Sequence, residues 1–215
     1  MTPIDDRAVD AKSLVARGYD RCAAVYDAAR RQEDESALAM LTERLEDGAA
    51  VLDVGCGPGV PVVRTLARRY TVTGVDISAQ MIERARQNVP EATFIHGDIM
   101  SVDVPAAHFD AVVSFYAIFH LPREEHAALF VRIHRWLRPG GYLLATVGLH
   151  DEPAYTEEFF GETMHWSNYS LEATQAMLKN LGFNLINVTM LGHGYDAAHA
   201  APEERHPLVF AQVPR

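Results

Sequence analysis

Cysteine is scarce in this chain of 215 residues: there are two, Cys22 and Cys56. They stand far apart, so neither a disulfide scaffold nor a Cys-x-x-Cys metal site is available. The His-Glu-x-x-His spacing and clustered Asp/His ligands are missing as well, and no metal is expected. Positive charge is short, with 19 lysines and arginines against 29 acidic residues and a formal net charge of −10. Nucleic-acid binding needs a basic surface that releases counterions, which argues against DNA or RNA as a partner. No apolar run approaches 18 residues, and Met1 to Asp10 is polar and acidic, without the apolar core of a signal segment. The expectation is a cytoplasmic protein with no membrane partner, a monomer or a homodimer. Internal repeats and low-complexity segments are absent too.

What is present is a chain that is 48% hydrophobic, enough for one good core. We read a single structural domain made of an N-terminal helical cap over residues 1–48 and a main body over residues 49–215. Within the cap, apolar residues from Val9 to Tyr26 recur at three- and four-residue steps with an interruption at Gly18, which predicts two short helices. A third is predicted over about Asp34 to Glu46, ending at Gly48.

Residues 49–59 read Ala-Ala-Val-Leu-Asp-Val-Gly-Cys-Gly-Pro-Gly, an apolar strand breaking into three alternating glycines before the helix-like run Val62 to Arg69. Strand, tight turn and helix in that order place a small-molecule site at the carboxyl end of the strand, where residues without β-carbons let the backbone approach a ligand. A dinucleotide loop wants Gly-x-Gly-x-x-Gly, but position 60 is valine and the third glycine falls one residue early. A phosphate loop wants Gly-Lys-Ser/Thr, and no lysine lies between residues 13 and 178. Phosphate is disfavoured. Asp76 ends the next apolar strand, Thr71 to Val75, and lies 21 residues past Gly55, where a carboxylate can accept both hydroxyls of a ribose. Asp98 follows the third strand, Ala92 to His96.

Four motifs in order, Val-Leu-Asp-Val-Gly-Cys-Gly-Pro-Gly, Gly-Val-Asp-Ile-Ser, His-Gly-Asp-Ile and Leu-Arg-Pro-Gly-Gly-Tyr-Leu-Leu-Ala, resemble the Rossmann-like methyltransferases that use S-adenosylmethionine. The resemblance runs from about residue 49 to the C-terminus. It implies an α/β doubly wound, seven-stranded, mostly parallel sheet of order 3-2-1-4-5-7-6 with the last strand antiparallel. It also implies S-adenosylmethionine as cofactor, with Asp53, Gly55 and Gly57 at its methionine part, Asp76 at the ribose, and Asp98 with Ile99 at the adenine edge. Ile77 and Met81 would sandwich the base, and Ser114-Phe115 would offer a carbonyl. In related enzymes a segment similar to Gly-Tyr-Asp…Val-Tyr-Asp folds over the cofactor, which makes Tyr19 and Tyr26 candidates for a helical lid.

The sequence itself supports the alternation of a parallel sheet, with amphipathic helices expected at 60–69, 79–88 and 123–137. Arg138-Pro139-Gly140-Gly141 is expected to stop the third of these and start a strand, Tyr142 to Val147. After a helix at 170–180, the runs Phe183 to Thr189 and Leu208 to Val213 are joined by a polar connection too short for a crossover, which predicts an antiparallel hairpin.

The acceptor side is expected where aromatic residues gather: Phe115, Tyr116 and Phe119 after the fourth strand, and Tyr155, Phe159, Phe160, Trp166 and Tyr169 in the 20-residue insertion that follows the fifth. Aromatic faces can hold a sulfonium or a flat substrate, and connections of that length are commonly binding loops. Tyr116, Phe119, His165, Trp166 and Tyr169 are the substrate-binding candidates. His120 and His165 are the candidates for a catalytic role, although methyl transfer from a sulfonium asks for alignment and dry surroundings more than for a base. The expected substrate is a small aromatic or heteroaromatic metabolite of natural-product type. A small amine or carboxylate is the alternative, needing a charged partner that the insertion offers only as Glu157, Glu158 and Glu162. Cofactor binding without turnover is a further reading.

Overall fold

The computed structural model describes residues 10–30, 35–192 and 205–215. Helix α1 (Ala11–Ala29) and helix α2 (Glu35–Thr42) precede an alternation of β1 (Ala50–Val54), α3 (Val62–Leu66), β2 (Thr71–Asp76), α4 (Ala79–Asn88), β3 (Thr93–His96) and β4 (Phe109–Ser114). Two 3-10 turns, Ile118–His120 and Arg123–Glu125, lead into α5 (His126–Trp136) and β5 (Leu137–Thr146). Then come β6 (Glu152–Phe159), β7 (Glu162–Asn168), α6 (Leu171–Asn180), β8 (Asn184–Leu191) and β9 (His206–Gln212).

Seven strands form one sheet in the order β3-β2-β1-β4-β5-β9-β8, and β6 with β7 forms a separate two-stranded sheet. β9 runs antiparallel to both β5 and β8. With the inserted β6 and β7 set aside, this is the order the resemblance implies. β1 is apolar apart from Asp53, because both faces of the sheet are covered. Val51 belongs to a core with Leu41 of α2, Leu66 of α3 and Ile82 of α4, whereas Leu52 packs among Phe130 and Ile133 of α5 and Leu178 of α6.

Three expectations need correction. Residues 11–29 form one continuous helix, not two. Gly18 is buried because the hairpin packs there: a β-carbon at Gly18 would lie 2.5 Å from Met164 Sδ, so its missing side chain serves helix packing rather than a break. The insertion after β5 is a β-hairpin, not an open loop, with Tyr155 opposite Trp166 and their rings stacked at 5.9 Å. Strand β5 starts at Leu137, because Leu137 already pairs with Phe109 and the ladder shifts register before Ala111 meets Tyr142. Residues 1–9 of the expected cap and the polar connection 193–204 between the last two strands lie outside the described residues.

Candidate active site

The sheet order reverses between β1 and β4, and the cleft opens at the carboxyl ends of those strands. Its floor is the turn after β1. Gly55 has φ +73°, and its backbone approaches the segment after β4 so closely that a β-carbon would sit 2.2 Å from Ala117 Cβ. Gly57, at φ +52°, faces the roof, where the nearest atom to such a β-carbon is Tyr26 Cε1 at 3.9 Å. Of the two glycines, only Gly57 has the open approach expected from the sequence; Gly55 exists to let two chain segments pass.

Asp76, at the end of β2, is fixed by the backbone. One carboxylate oxygen accepts the Gly57 N–H and the other the Ser78 N–H, both at 2.8 Å. Burial pushes its pKa up, while those two hydrogen bonds oppose the rise. Each oxygen keeps acceptor capacity for a further donor. Ile77, Met81, Ile99 and Leu121 supply the apolar lining nearby. At the β3 end, Asp98 accepts the Met100 N–H at 2.9 Å and the Lys12 ammonium at 2.9 Å.

The roof is α1, which contributes Lys12, Tyr19 and Tyr26 to the cleft. Asp20 anchors it over α4, accepting the Ser78 hydroxyl at 2.6 Å and the Gln80 N–H at 3.0 Å, and Asp27 pairs with Arg84 at 3.3 Å. The C-terminal end of α1 closes the deep part of the cleft, where Arg30 and Asp53 line one cavity with Tyr26, Gly57 and Phe115. Arg30 is buried, donates to the Tyr26 hydroxyl at 2.9 Å and lies 4.8 Å from the centre of the Tyr116 ring. Cys56, in the same cavity, is buried, and burial together with the Asp76 and Asp53 charges holds its thiol well above the usual range.

The wall opposite the glycine turn is the segment after β4. Ser114 spends its hydroxyl on the Val54 carbonyl at 2.9 Å. Tyr116 takes a positive φ of 57°, with its N–H on Thr146 Oγ1 at 2.6 Å and its hydroxyl donating to the Gly192 carbonyl. A non-glycine residue in that conformation is strained, and here the two flanking hydrogen bonds impose it. His120 Nδ1 lies 2.8 Å from the His165 carbonyl, and its Nε2 lies 2.8 Å from the Tyr19 hydroxyl. A carbonyl only accepts, so Nδ1 carries the proton and Nε2 accepts from Tyr19. Burial lowers the His120 pKa to about 4 against the opposing pull of the His165 carbonyl, so the ring is neutral at pH 7.

The expected cofactor residues Tyr19, Tyr26, Asp53, Gly55, Gly57, Asp76, Ile77, Met81, Asp98, Ile99 and Phe115 all line the cleft or its deep end. Ser114 stands behind it, buried on β4. Among the acceptor candidates, Tyr116 lines the cleft. Trp166 packs on His120 at 5.2 Å, and Phe119 stacks on His206 at 5.4 Å. Two placements depart from expectation. His165 sits on β7 and reaches the site through its backbone carbonyl, not its ring. Tyr169 lies elsewhere, with its ring against Arg123 at 5.1 Å and His126 at 6.0 Å. Strand alternation explains the first, because adjacent residues Trp166 and His165 point to opposite faces of the hairpin. Lys12, Asp20 and Arg30 were not anticipated. Each acts through tertiary contact, and although Asp20 stands in the Gly-Tyr-Asp segment, that segment pointed to its tyrosine and not to the carboxylate. Among the described residues, no group of three or more His, Cys, Asp or Glu side chains can hold a metal, and no helix is long and apolar enough to cross a membrane.

Comparison with known proteins agrees with this geometry. Residues 51–141 match the family model described as a methyltransferase domain. Trans-aconitate 2-methyltransferase of Azoarcus sp. (strain BH72) is 37% identical over 114 residues, covering 52% of this chain and 44% of that protein. The chain spans about half the length of the curated relatives it matches. Among solved structures, magnesium protoporphyrin IX methyltransferase from Synechocystis PCC 6803 with bound S-adenosylmethionine superposes with a TM-score of 0.72 at 16% identity, covering 97% of this chain and 100% of that one. The Burkholderia thailandensis 1,6-didemethyltoxoflavin-N1-methyltransferase, with its substrate and S-adenosylhomocysteine bound, gives 0.69 at 20% identity, covering 95% and 87%.

Proposed function

We propose that this chain, whose residues 51–141 match the methyltransferase-domain family model, transfers a methyl group from S-adenosylmethionine to a small, flat acceptor, aromatic or heteroaromatic, free in the cytoplasm. The observation that carries the cofactor half is the backbone-held Asp76 facing a cleft with apolar lining at one end and the Arg30–Asp53 pair of opposite charges at the other. That layout fits a nucleoside joined to an amino acid. Asp76 would take the ribose hydroxyls, Asp98 and Ile99 the adenine edge, Ile77 and Met81 its faces, and Arg30 with Asp53 the α-carboxylate and α-ammonium.

When bound, S-adenosylmethionine supplies an electrophilic methyl on a sulfonium. The chain's own part is alignment and exclusion of water. Tyr19, Tyr26 and Phe115 wall the cleft, while Tyr116, Phe119 and Trp166 border the acceptor side. His120 and His165 form one positioning unit: the His165 carbonyl fixes the His120 tautomer, and His120 holds the Tyr19 hydroxyl in place. A neutral imidazole with so low a pKa is a weak base, which suits an acceptor that needs little deprotonation.

A second reading, transfer to a small carboxylate, accords with the trans-aconitate 2-methyltransferase among the relatives. The test is to incubate the protein with isotopically labelled S-adenosylmethionine and pooled small metabolites, and to follow S-adenosylhomocysteine release and the labelled product. A labelled aromatic or heteroaromatic product supports the first reading and a labelled methyl ester the second. Binding of S-adenosylhomocysteine without turnover on any pool would leave a cofactor-binding protein.

A further inference from the structure

Lys12 is one of two lysines in the chain, and its ammonium lies between two carboxylates from different parts of the fold. It stands 2.9 Å from Asp98 Oδ2 and 2.5 Å from Glu125 Oε2. Asp98 belongs to the turn after β3, at the adenine edge; Glu125 ends the 3-10 turn before α5; Lys12 is in the first turn of the roof helix. The three side chains are 18%, 26% and 32% exposed, so the cluster is partly shielded from water, where ion pairs are worth more than on an open surface.

We propose that Lys12 is the closing residue of the cofactor cleft, a clasp that ties the N-terminal half of α1 to Asp98 and Glu125 and slows escape of the bound nucleoside. This rests on reading the cleft as a S-adenosylmethionine site. The position supports it, because Lys12 lines the cleft together with Asp98, Ile99 and Leu121. A base entering that end passes between α1 and the turn after β3. The rest of α1 is held differently: Asp20 and Asp27 bond to α4 further along the helix. Lys12 supplies the polar tie at the start, so the first two turns can lift while the remainder stays docked. The second carboxylate gives the clasp its stability. Asp98 has a lone pair left on each oxygen beyond Met100 and Lys12, and when an exocyclic amino group claims part of that capacity, Glu125 still holds the ammonium.

The experiment measures the dissociation rate of S-adenosylhomocysteine by stopped flow, and amide hydrogen exchange over residues 11–18, for wild type, K12M, K12R and E125Q. K12M is expected to release the ligand about tenfold faster, the loss of one charge-assisted contact, and to exchange faster over residues 11–18 with ligand bound. K12R, which keeps the charge, stays within about threefold of wild type on the same scale. E125Q moves both readouts in the direction of K12M by less. Wild-type release and exchange in K12M would overturn the clasp, and if K12M fails to fold by circular dichroism, wild-type behaviour in E125Q overturns it instead. Should wild-type protein not bind S-adenosylhomocysteine, the cofactor reading is what fails; unchanged exchange over residues 11–18 between ligand-free wild type and K12M would then sink the clasp separately.

Discussion

The Tyr19 hydroxyl and His120 Nε2 stand 2.8 Å apart, and that bond joins the roof helix to the segment after β4 across the mouth of the cleft. While His120 is neutral its Nε2 accepts from Tyr19; on protonation Nε2 becomes a donor and the bond must turn round, with the Tyr19 hydroxyl oxygen accepting. Protonation also leaves a buried imidazolium among aromatic rings, and that burial is the larger cost.

Stability should consequently fall with acid in a defined window. In the unfolded chain His120 titrates near its ordinary value of 6.5, and in the fold near 4. A depressed folded pKa means the stabilisation is complete above pH 6.5 and is lost as pH falls toward 4, levelling off below. The full difference is about 3 kcal/mol at 1.36 kcal/mol per pKa unit. Urea denaturation at pH 7, 6, 5 and 4 checks this. His120→Gln, which cannot take up a proton in this range, should flatten the decline; an unchanged slope in that variant contradicts the assignment.

Asp76→Ala should weaken S-adenosylhomocysteine binding about 30- to 150-fold, from roughly 2 to 3 kcal/mol of charge-assisted contact. Asp76→Asn keeps one accepting oxygen but turns its NH2 toward the N–H of Gly57 or Ser78, so it too should weaken binding. The backbone bonds from Gly57 and Ser78 add a stability cost, so calorimetric titrations belong below the melting temperature of each variant. A loss under about threefold in a folded Asp76→Ala protein means the residue is misassigned.

Much of this could be read from residues 49–145, because alternating strands and helices with glycines and acids at strand ends leave a local trace. Asp76, Ile77 and Asp98 follow directly from their place after β2 and β3. Other features left no such trace. Gly18 reads as a helix break, and only the approach of Met164 shows why a glycine stays helical there. Arg30 and Lys12 reach the cleft through the docking of α1, which no periodicity encodes. Tyr169 was expected at the site by composition, yet the hairpin geometry sends it to Arg123.

Gly55→Ala should be far costlier than Gly161→Ala, although both glycines have positive φ, +73° and +79°. The new methyl at Gly161 meets nothing within 4 Å, so only the backbone preference is lost, about 1 kcal/mol. At Gly55 it would collide with Ala117, displacing the wall from the floor of the cleft. Thermal denaturation with and without ligand separates the two; equal shifts would mean the close approach at Ala117 is not real.

Trp166→Ala should impair turnover and acceptor affinity while leaving cofactor affinity nearly unchanged. The indole packs on His120, Phe159 and Tyr155, on the hairpin side of the cleft. Paired titrations with S-adenosylhomocysteine and with the acceptor, on one folded sample, are the check. Loss of cofactor binding with normal acceptor handling refutes the division of the site.

The most direct measurement is isothermal titration of the wild-type protein with S-adenosylhomocysteine, followed by NAD and ATP under the same conditions. The Asp76 acceptor, the early third glycine and the absence of a lysine between residues 13 and 178 predict one site per chain for S-adenosylhomocysteine and far weaker heats for the two phosphate-bearing nucleotides. Tight binding of NAD or ATP with no binding of S-adenosylhomocysteine would contradict the account at its root.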